Sequence, residues 1–172
     1  MLNPLVCGDV FTSTYVIQGI STTSPLINSV VTLEGVVTAD FQSSTQLDGF
    51  FVQDPSGDGN PLSSDGLFVY APGGANVNVG EAVRVQGTVA EVNGLTEINT
   101  LTSLTVCSSG YVVTPTVIDL PVAVTGDQER YEGMLVTIPE TLTASQNYFQ
   151  GRYGQVTLSA DGRLFHPNNG NG

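Results

Sequence analysis

Residues 81–95 read Glu81-Ala82-Val83-Arg84-Val85-Gln86-Gly87-Thr88-Val89-Ala90-Glu91-Val92-Asn93-Gly94-Leu95. Val83, Val85 and Val89 fall on one face of an extended chain and Arg84, Gln86 and Thr88 on the other, a period of two that specifies a half-buried strand. Asn93-Gly94 supplies two residues that tolerate positive φ, so the chain is expected to reverse in a type I′ turn and continue as a strand through 95–106. Upstream, Val30-Val31-Thr32-Leu33-Glu34-Gly35-Val36-Val37-Thr38-Ala39 makes a long strand with a glycine in its middle, the mark of a bulge or sharp bend. Shorter apolar strands are expected over 49–53 and 66–70. Five strands in this order, the first long and bent, predict an all-β chain whose residues 26–110 form a five-stranded OB-fold-like barrel.

Beyond the barrel the pattern loosens. Residues 111–125 contain Pro and Thr and read as a linker, and 126–165 as a second small β-rich segment packed on the first. Its clearest strands are expected at 134–144 and 155–165, the latter bending back at Ala160-Asp161-Gly162-Arg163. An echo between 31–39 and 136–144 is open to two readings, a partial second OB-like unit or the compositional likeness of any two Thr/Val strands. Residues 1–25 form an N-terminal arm, and the polar, Gly-rich 166–172 a tail or interdomain linker.

Charge is lopsided: sixteen acids face four Arg and no Lys, for a net charge of -12 over 172 residues. Such a field repels nucleic acid and anionic membranes, so phosphate binding requires a local basic patch or a bound cation. No apolar run approaches transmembrane length, and residues 1–20 lack both a basic start and an apolar stretch. A mature fragment of a secreted protein, its export signal missing, is the expectation. Cys7 and Cys107 are the only cysteines and lie outside any metal-binding spacing. Free thiols of a cytosolic protein are one reading. With this composition a disulfide tying the N-terminal arm to the end of the barrel is preferred, which implies an oxidising compartment.

Residues 54–65 read Asp54-Pro55-Ser56-Gly57-Asp58-Gly59-Asn60-Pro61-Leu62-Ser63-Ser64-Asp65. Oxygen-bearing side chains occupy loop positions 1, 3, 5, 7, 10, 11 and 12 with Gly at position 6, close to the spacing of a calcium loop. Asp54, Ser56, Asp58, Asn60 and Asp65 are the candidate Ca²⁺ ligands. Asp65 replaces the usual Glu, Pro61 interrupts the loop, and strands flank it, so this is no EF-hand. Asp-Pro, Gly-Asp-Gly and Asn-Pro are also ordinary turn chemistry, and a metal-free turn stays open.

Ile17-Gln18-Gly19, Ser24-Pro25-Leu26, residues 35–39, the block 49–70, Tyr131-Glu132-Gly133-Met134-Leu135-Val136 and Gly151-Arg152-Tyr153-Gly154 together resemble a known region. It is the region preceding the catalytic domain in secreted bacterial nucleases of the endonuclease/exonuclease/phosphatase superfamily. The resemblance implies an OB-fold module that engages nucleic acid, in an extracellular enzyme dependent on Ca²⁺ and Mg²⁺. It implies a C-terminal catalytic nuclease domain as partner, with Mg²⁺ belonging to that absent domain. Here the single His166 lies in the tail next to Pro167, and a His-centred acid/base scheme lacks its parts. The chain alone is expected to be non-catalytic.

OB modules hold single strands by stacking bases on aromatics and tracking phosphates with basic groups. Residues 111–172 carry Arg130, Arg152 and Arg163, whereas 1–110 carry Arg84 alone against ten acids. Asn147-Tyr148-Phe149-Gln150-Gly151-Arg152-Tyr153 interleaves three aromatics with an Arg at an expected hairpin tip. Tyr148, Phe149, Arg152, Tyr153 and Arg130, with Phe51 and Tyr70 on the second and third strands, are the candidate contacts for single-stranded or weakly bound DNA. Half of Phe50, Phe51, Phe68 and Tyr70 must face the barrel interior. Against this stand two other classes, a calcium-rigidified structural spacer and a carbohydrate- or protein-binding module.

Overall fold

The computed structural model describes residues 6–122 and 126–164; the expectations for the 166–172 tail and His166 lie outside them. The five expected strands are present as β1 (Val30–Phe41), β2 (Gly49–Gln53), β3 (Gly66–Tyr70), β4 (Ala82–Val92) and β5 (Leu95–Ser108). They close in the order β1-β2-β3-β5-β4, every neighbour antiparallel except the parallel β3–β5 pair. That is the Greek-key arrangement of an OB-type barrel. The β4–β5 reversal is the two-residue turn expected of Asn-Gly, with Asn93 at φ 56° and Gly94 at φ 82°.

β1 closes the ring because it serves two partners. Residues 30–36 pair with β4 and residues 36–41 with β2, so Val36 faces both Ala82 and Gln53. The irregularity expected near Gly35 falls slightly later, between Val37 and Ala39. Inward positions supply the core: Leu33, Val37, Phe50, Val52, Leu67, Val69, Val83, Val85, Val89 and Ile98. Ile17, from the five-residue helix α1 (Thr14–Gln18), joins them.

The arm is bound by charge and covalency. Arg84, 3% exposed, sits directly across from Glu34 and donates to its Oε1 at 2.6 Å. The same guanidinium donates to the carbonyls of Asp9 and Val10, both at 2.9 Å, while Gly8 N–H donates to Glu34 Oε1 at 2.7 Å. Cys7 and Cys107 form the expected disulfide, with 5.8 Å between their Cα atoms. Arg84 is thus committed to structure.

Among the described residues, 6–116 and 128–136 form one compact unit, and 117–122, 126–127 and 137–164 another. The second segment expected over 126–165 thus differs from the second unit. The difference is the stretch 128–136, which returns to the barrel through the 3-10 turn at Asp127–Tyr131 and the residues after it. The strand expected over 134–144 is divided, with β7 at Val136–Thr137, β8 at Thr143–Gln146, and Pro139 between them. β8 pairs antiparallel with β9 (Thr157–Ser159), and α2 (Gln150–Tyr153) sits in their connection. The bend at 160–163 is present: Asp161 and Gly162 have φ 57° and 97°, and Leu164 N–H returns to Ser145 Oγ at 2.9 Å. The short β6 (Thr116–Val117) pairs with β7. No second barrel forms among the described residues, and none of their helices is long and apolar enough to cross a membrane.

The disulfide closes 100 residues, so Cys7→Ser/Cys107→Ser is expected to lose roughly 2–5 kcal/mol of stability in denaturant unfolding. A loss below about 1 kcal/mol would show that Arg84 and Glu34 suffice to fix the arm.

Candidate functional site

The connection between β2 and β3 leaves and re-enters the sheet through one bond, Asp54 N–H to the Asp65 carbonyl at 2.9 Å. Between these ends the side-chain oxygens turn the loop. Asp54 Oδ1 accepts from Ser56 and Gly57 N–H at 2.9 and 3.3 Å. Asp58 Oδ1 accepts from Asn60 N–H at 2.8 Å, and Asn60 Oδ1 from Leu62 N–H at 3.1 Å. These are the local Asx bonds that make Asp and Asn turn residues. Ser63, absent from the ligand set read from spacing, donates to both Asp58 oxygens at 3.2 and 3.1 Å.

Asp65 is the exception in this loop. Its carbonyl is held by Thr14 Oγ1 at 2.7 Å, but its Oδ1 is buried without a hydrogen-bond partner. Partial burial pushes its carboxyl above the ordinary 3.8, and the charges of Asp58 and Asp54 push the same way, against a lowering bond from the Asp58 amide. Gly57 makes room for this group: a Cβ there would lie 2.5 Å from Asp65 Oδ2. The donor set suits a hard cation, which would relieve the repulsion and satisfy the orphaned oxygen. The three carboxylates are not gathered to coordination distance, however. Among the described residues, the set of acid and cysteine ligand atoms lying within 4.8 Å of one another is Cys7, Glu34 and Cys107, two of which are spent in the disulfide. Ser56 and Asn60 are exposed.

The β2–β3 face resolves the phase of its aromatics. One of Phe50, Phe51, Phe68 and Tyr70, not half of them, faces inward: Phe50 lies in the core, while Phe51 pairs with Phe68 on the outer side and Tyr70, two residues on, shares it. Phe51 packs on Phe68 at 4.9 Å between centroids and edge-on against Phe41 at 6.2 Å. Phe51 and Tyr70 are half-buried. This side is not bare. A Cβ on Gly66 would meet the Gly133 carbonyl carbon at 2.3 Å, so the two backbones touch only because both residues are glycine. Leu135 N–H donates to Gln53 Oε1 at 2.9 Å, and Ser64 Oγ donates to the Glu132 carbonyl. Glu132 Oε1 accepts from Thr96 N–H at 2.8 Å and Gln18 Nε2 at 3.2 Å.

Arg130 belongs with the barrel unit, beside the acidic loop. Its guanidinium stacks on Tyr131 at 4.9 Å and reaches the Pro61 carbonyl at 3.5 Å. A cleft of about 270 Å³ there is lined by Asn60, Ser63, Asp65, Arg130, Tyr131 and Met134, among others.

The remaining candidates come together in the β8–β9 connection. Tyr148 meets Phe149 edge-on at 5.0 Å, Phe149 meets Tyr153 at 5.8 Å, and the Arg152 guanidinium lies 5.1 Å from the Tyr153 ring centre. Tyr148 is 78% exposed, Tyr153 57% and Phe149 41%. The helical turn α2 places Phe149, Arg152 and Tyr153 three and four residues apart, on one side of the chain. No protein-family model matches the sequence, and no curated protein or solved structure matches it.

The folded protein favours protonated Asp65, so this contribution is fully present below the ordinary 3.8 and is lost as pH rises through the raised value. Asp65→Asn keeps an acceptor for the Asp58 amide. Without calcium it is expected to melt above the wild type at neutral pH, the gap closing as pH falls towards 3.8. A gap that does not change with pH would remove charge as its cause.

Proposed function

We propose that the chain is a non-catalytic accessory module of a secreted, extracellular bacterial nuclease. In this reading an OB-like barrel with a Ca²⁺-binding β2–β3 loop carries a tip that binds or orients single-stranded nucleic acid for a C-terminal catalytic domain. The observation that carries it is the exposed run of Tyr148, Phe149 and Tyr153 with Arg152 beside it. Exposed aromatic rings at a loop tip offer faces for stacking any base, and a guanidinium next to them can pair with phosphate. This is the combination by which a module of net charge -12 overcomes its long-range field at short distance.

Calcium fits the same reading. Asp54, Asp58 and Asp65 would hold the ion, with Ser56 and Asn60 completing the oxygen set, and the bound charge would rigidify the loop and weaken the repulsion of polyanions. Binding exchanges the Ser63–Asp58 bonds for ion contacts. A ligand that binds only the folded state stabilises it by about 2.7 kcal/mol at a hundred times its dissociation constant. The melting temperature is therefore expected to rise with millimolar Ca²⁺, and Asp58→Ala to abolish the rise. Absence of any shift would return the loop to turn chemistry.

A second reading, a calcium-rigidified spacer with no ligand, is favoured by the covered outer face at Gly66 and Gln53. Anisotropy of a labelled oligothymidylate at low salt with calcium separates the two. The module is expected to bind, with Tyr148→Ala or Arg152→Ala each weakening binding by about 1–3 kcal/mol. No binding by the wild type at low salt would leave the spacer.

A further inference from the structure

The β8–β9 tip carries three rings but a single cation. We infer that it is a clasp for one nucleotide unit, taking one unpaired base on Tyr148 and one phosphate on Arg152, rather than a groove that tracks a strand. The inference deepens the nucleic-acid reading above and rests on it.

Ring geometry limits the number of bases. A run of bases that stay stacked on one another needs ring faces that are parallel. Tyr148 and Phe149 cross at 78° and Phe149 and Tyr153 at 44°, so no two touching rings meet that need. Phe149 contacts both of the others and is the least exposed of the three, which makes it the prop of the cluster. One face of Tyr153 is taken by the Arg152 guanidinium. Tyr148, the most exposed ring, is left to receive a base that is splayed out of its strand.

Charge limits the number of phosphates. Arg152 forms no ion pair and no side-chain hydrogen bond with any described residue, so its N–H donors remain for a ligand oxygen. No acid stands between Glu140 and Asp161, which leaves the tip locally cationic in a chain of net charge -12. Among the described residues of this unit the other cation is Arg163, which has an interaction of its own. A second phosphate therefore finds no guanidinium waiting at the tip, and each further one adds repulsion from the acidic chain. Access for one unit is open. A Cβ at Gly151 would meet nothing within 4 Å, so a sugar-phosphate can approach the backbone beside Arg152.

The test is a length series on the full chain. Thymidine dinucleotide, with its one bridging phosphate, is compared with oligothymidylates of four and twelve residues, read by the amide shifts of Gly151, Arg152 and Tyr153. After correction for the number of binding positions, the three dissociation constants are expected to agree within about threefold, because added nucleotides meet no added stacking face or cation. Affinity should fall with salt along a log–log slope no steeper than about -0.7, the value for one phosphate on a single strand. Arg152→Ala should remove that negative slope. Tyr148→Ala should weaken all three ligands by at least about fivefold, whereas Tyr148→Phe, which keeps the ring face, should bind as the wild type does. Both side chains are exposed, so the variants are expected to keep the fold. A corrected gain of tenfold or more from two to twelve residues would overturn the clasp and leave the tip reading standing. So would a slope of several phosphates, or one that survives Arg152→Ala. Tip amides of the wild type that move with none of the three ligands would overturn the nucleic-acid reading, and the clasp with it.

Discussion

A sheet of five strands becomes a barrel only if one strand bonds along both of its edges, and β1 carries that burden here. Its first half is committed to β4 and its second half to β2, with the change of partner at Val36 and an irregularity just beyond it. Several features of the first unit follow from where this change of partner occurs. It fixes Glu34 opposite Arg84, which captures the arm, and it brings Gln53, the last residue of β2, opposite Val36 at the same level. The acidic loop springs from that level, and α1 packs Ile17 into the core while Thr14 and Gln18 bond to Asp65 and Gly66 beside it.

Two consequences bear on function. The β2–β3 end of the barrel is crowded with polar groups that hold backbone: Gln18 bonds to the Gly66 carbonyl, Gln53 to the Leu135 amide and Glu132 to the Thr96 amide. Each is buried or half-buried, where a satisfied bond stabilises modestly and a broken one is costly. It also leaves an oxygen of the Asp65 carboxyl unanswered beside the charges of Asp58 and Asp54. The β8–β9 tip has the opposite character. Its aromatics touch one another and stand in solvent, a state that is poor for stability and useful for contact.

Much of the barrel was legible because its signals are local and periodic. Alternation in 81–92 and the Asn93-Gly94 pair specify strand and turn without reference to the rest of the chain. The two cysteines were legible through composition. The phase of β2 was not: Phe50 and Phe51 are both plausible core residues in GFFVQ, and only pairing with β3 sends Phe50 inward. Helix α1 escaped because five residues are too few to display a 3.6-residue period. The return of 128–136 was invisible for a different reason. It depends on single long-range contacts, Gly66 with Gly133 and Gln53 with Leu135, which leave no periodic trace. At the candidate sites, the acidic spacing and the aromatic-arginine run were readable, but Ser63 as the partner of Asp58 depends on how the loop folds back on itself.

The central claim is that contact with a single strand is made by the β8–β9 tip rather than by the acidic barrel surface. Backbone amide shifts of the isotopically labelled protein, followed during titration with oligothymidylate in calcium at low salt, test it most directly. The account predicts shifts centred on Tyr148, Phe149, Arg152 and Tyr153, with β4 and the β4–β5 turn unmoved. A spectrum in which the tip stays still, whether or not other residues move, would contradict it.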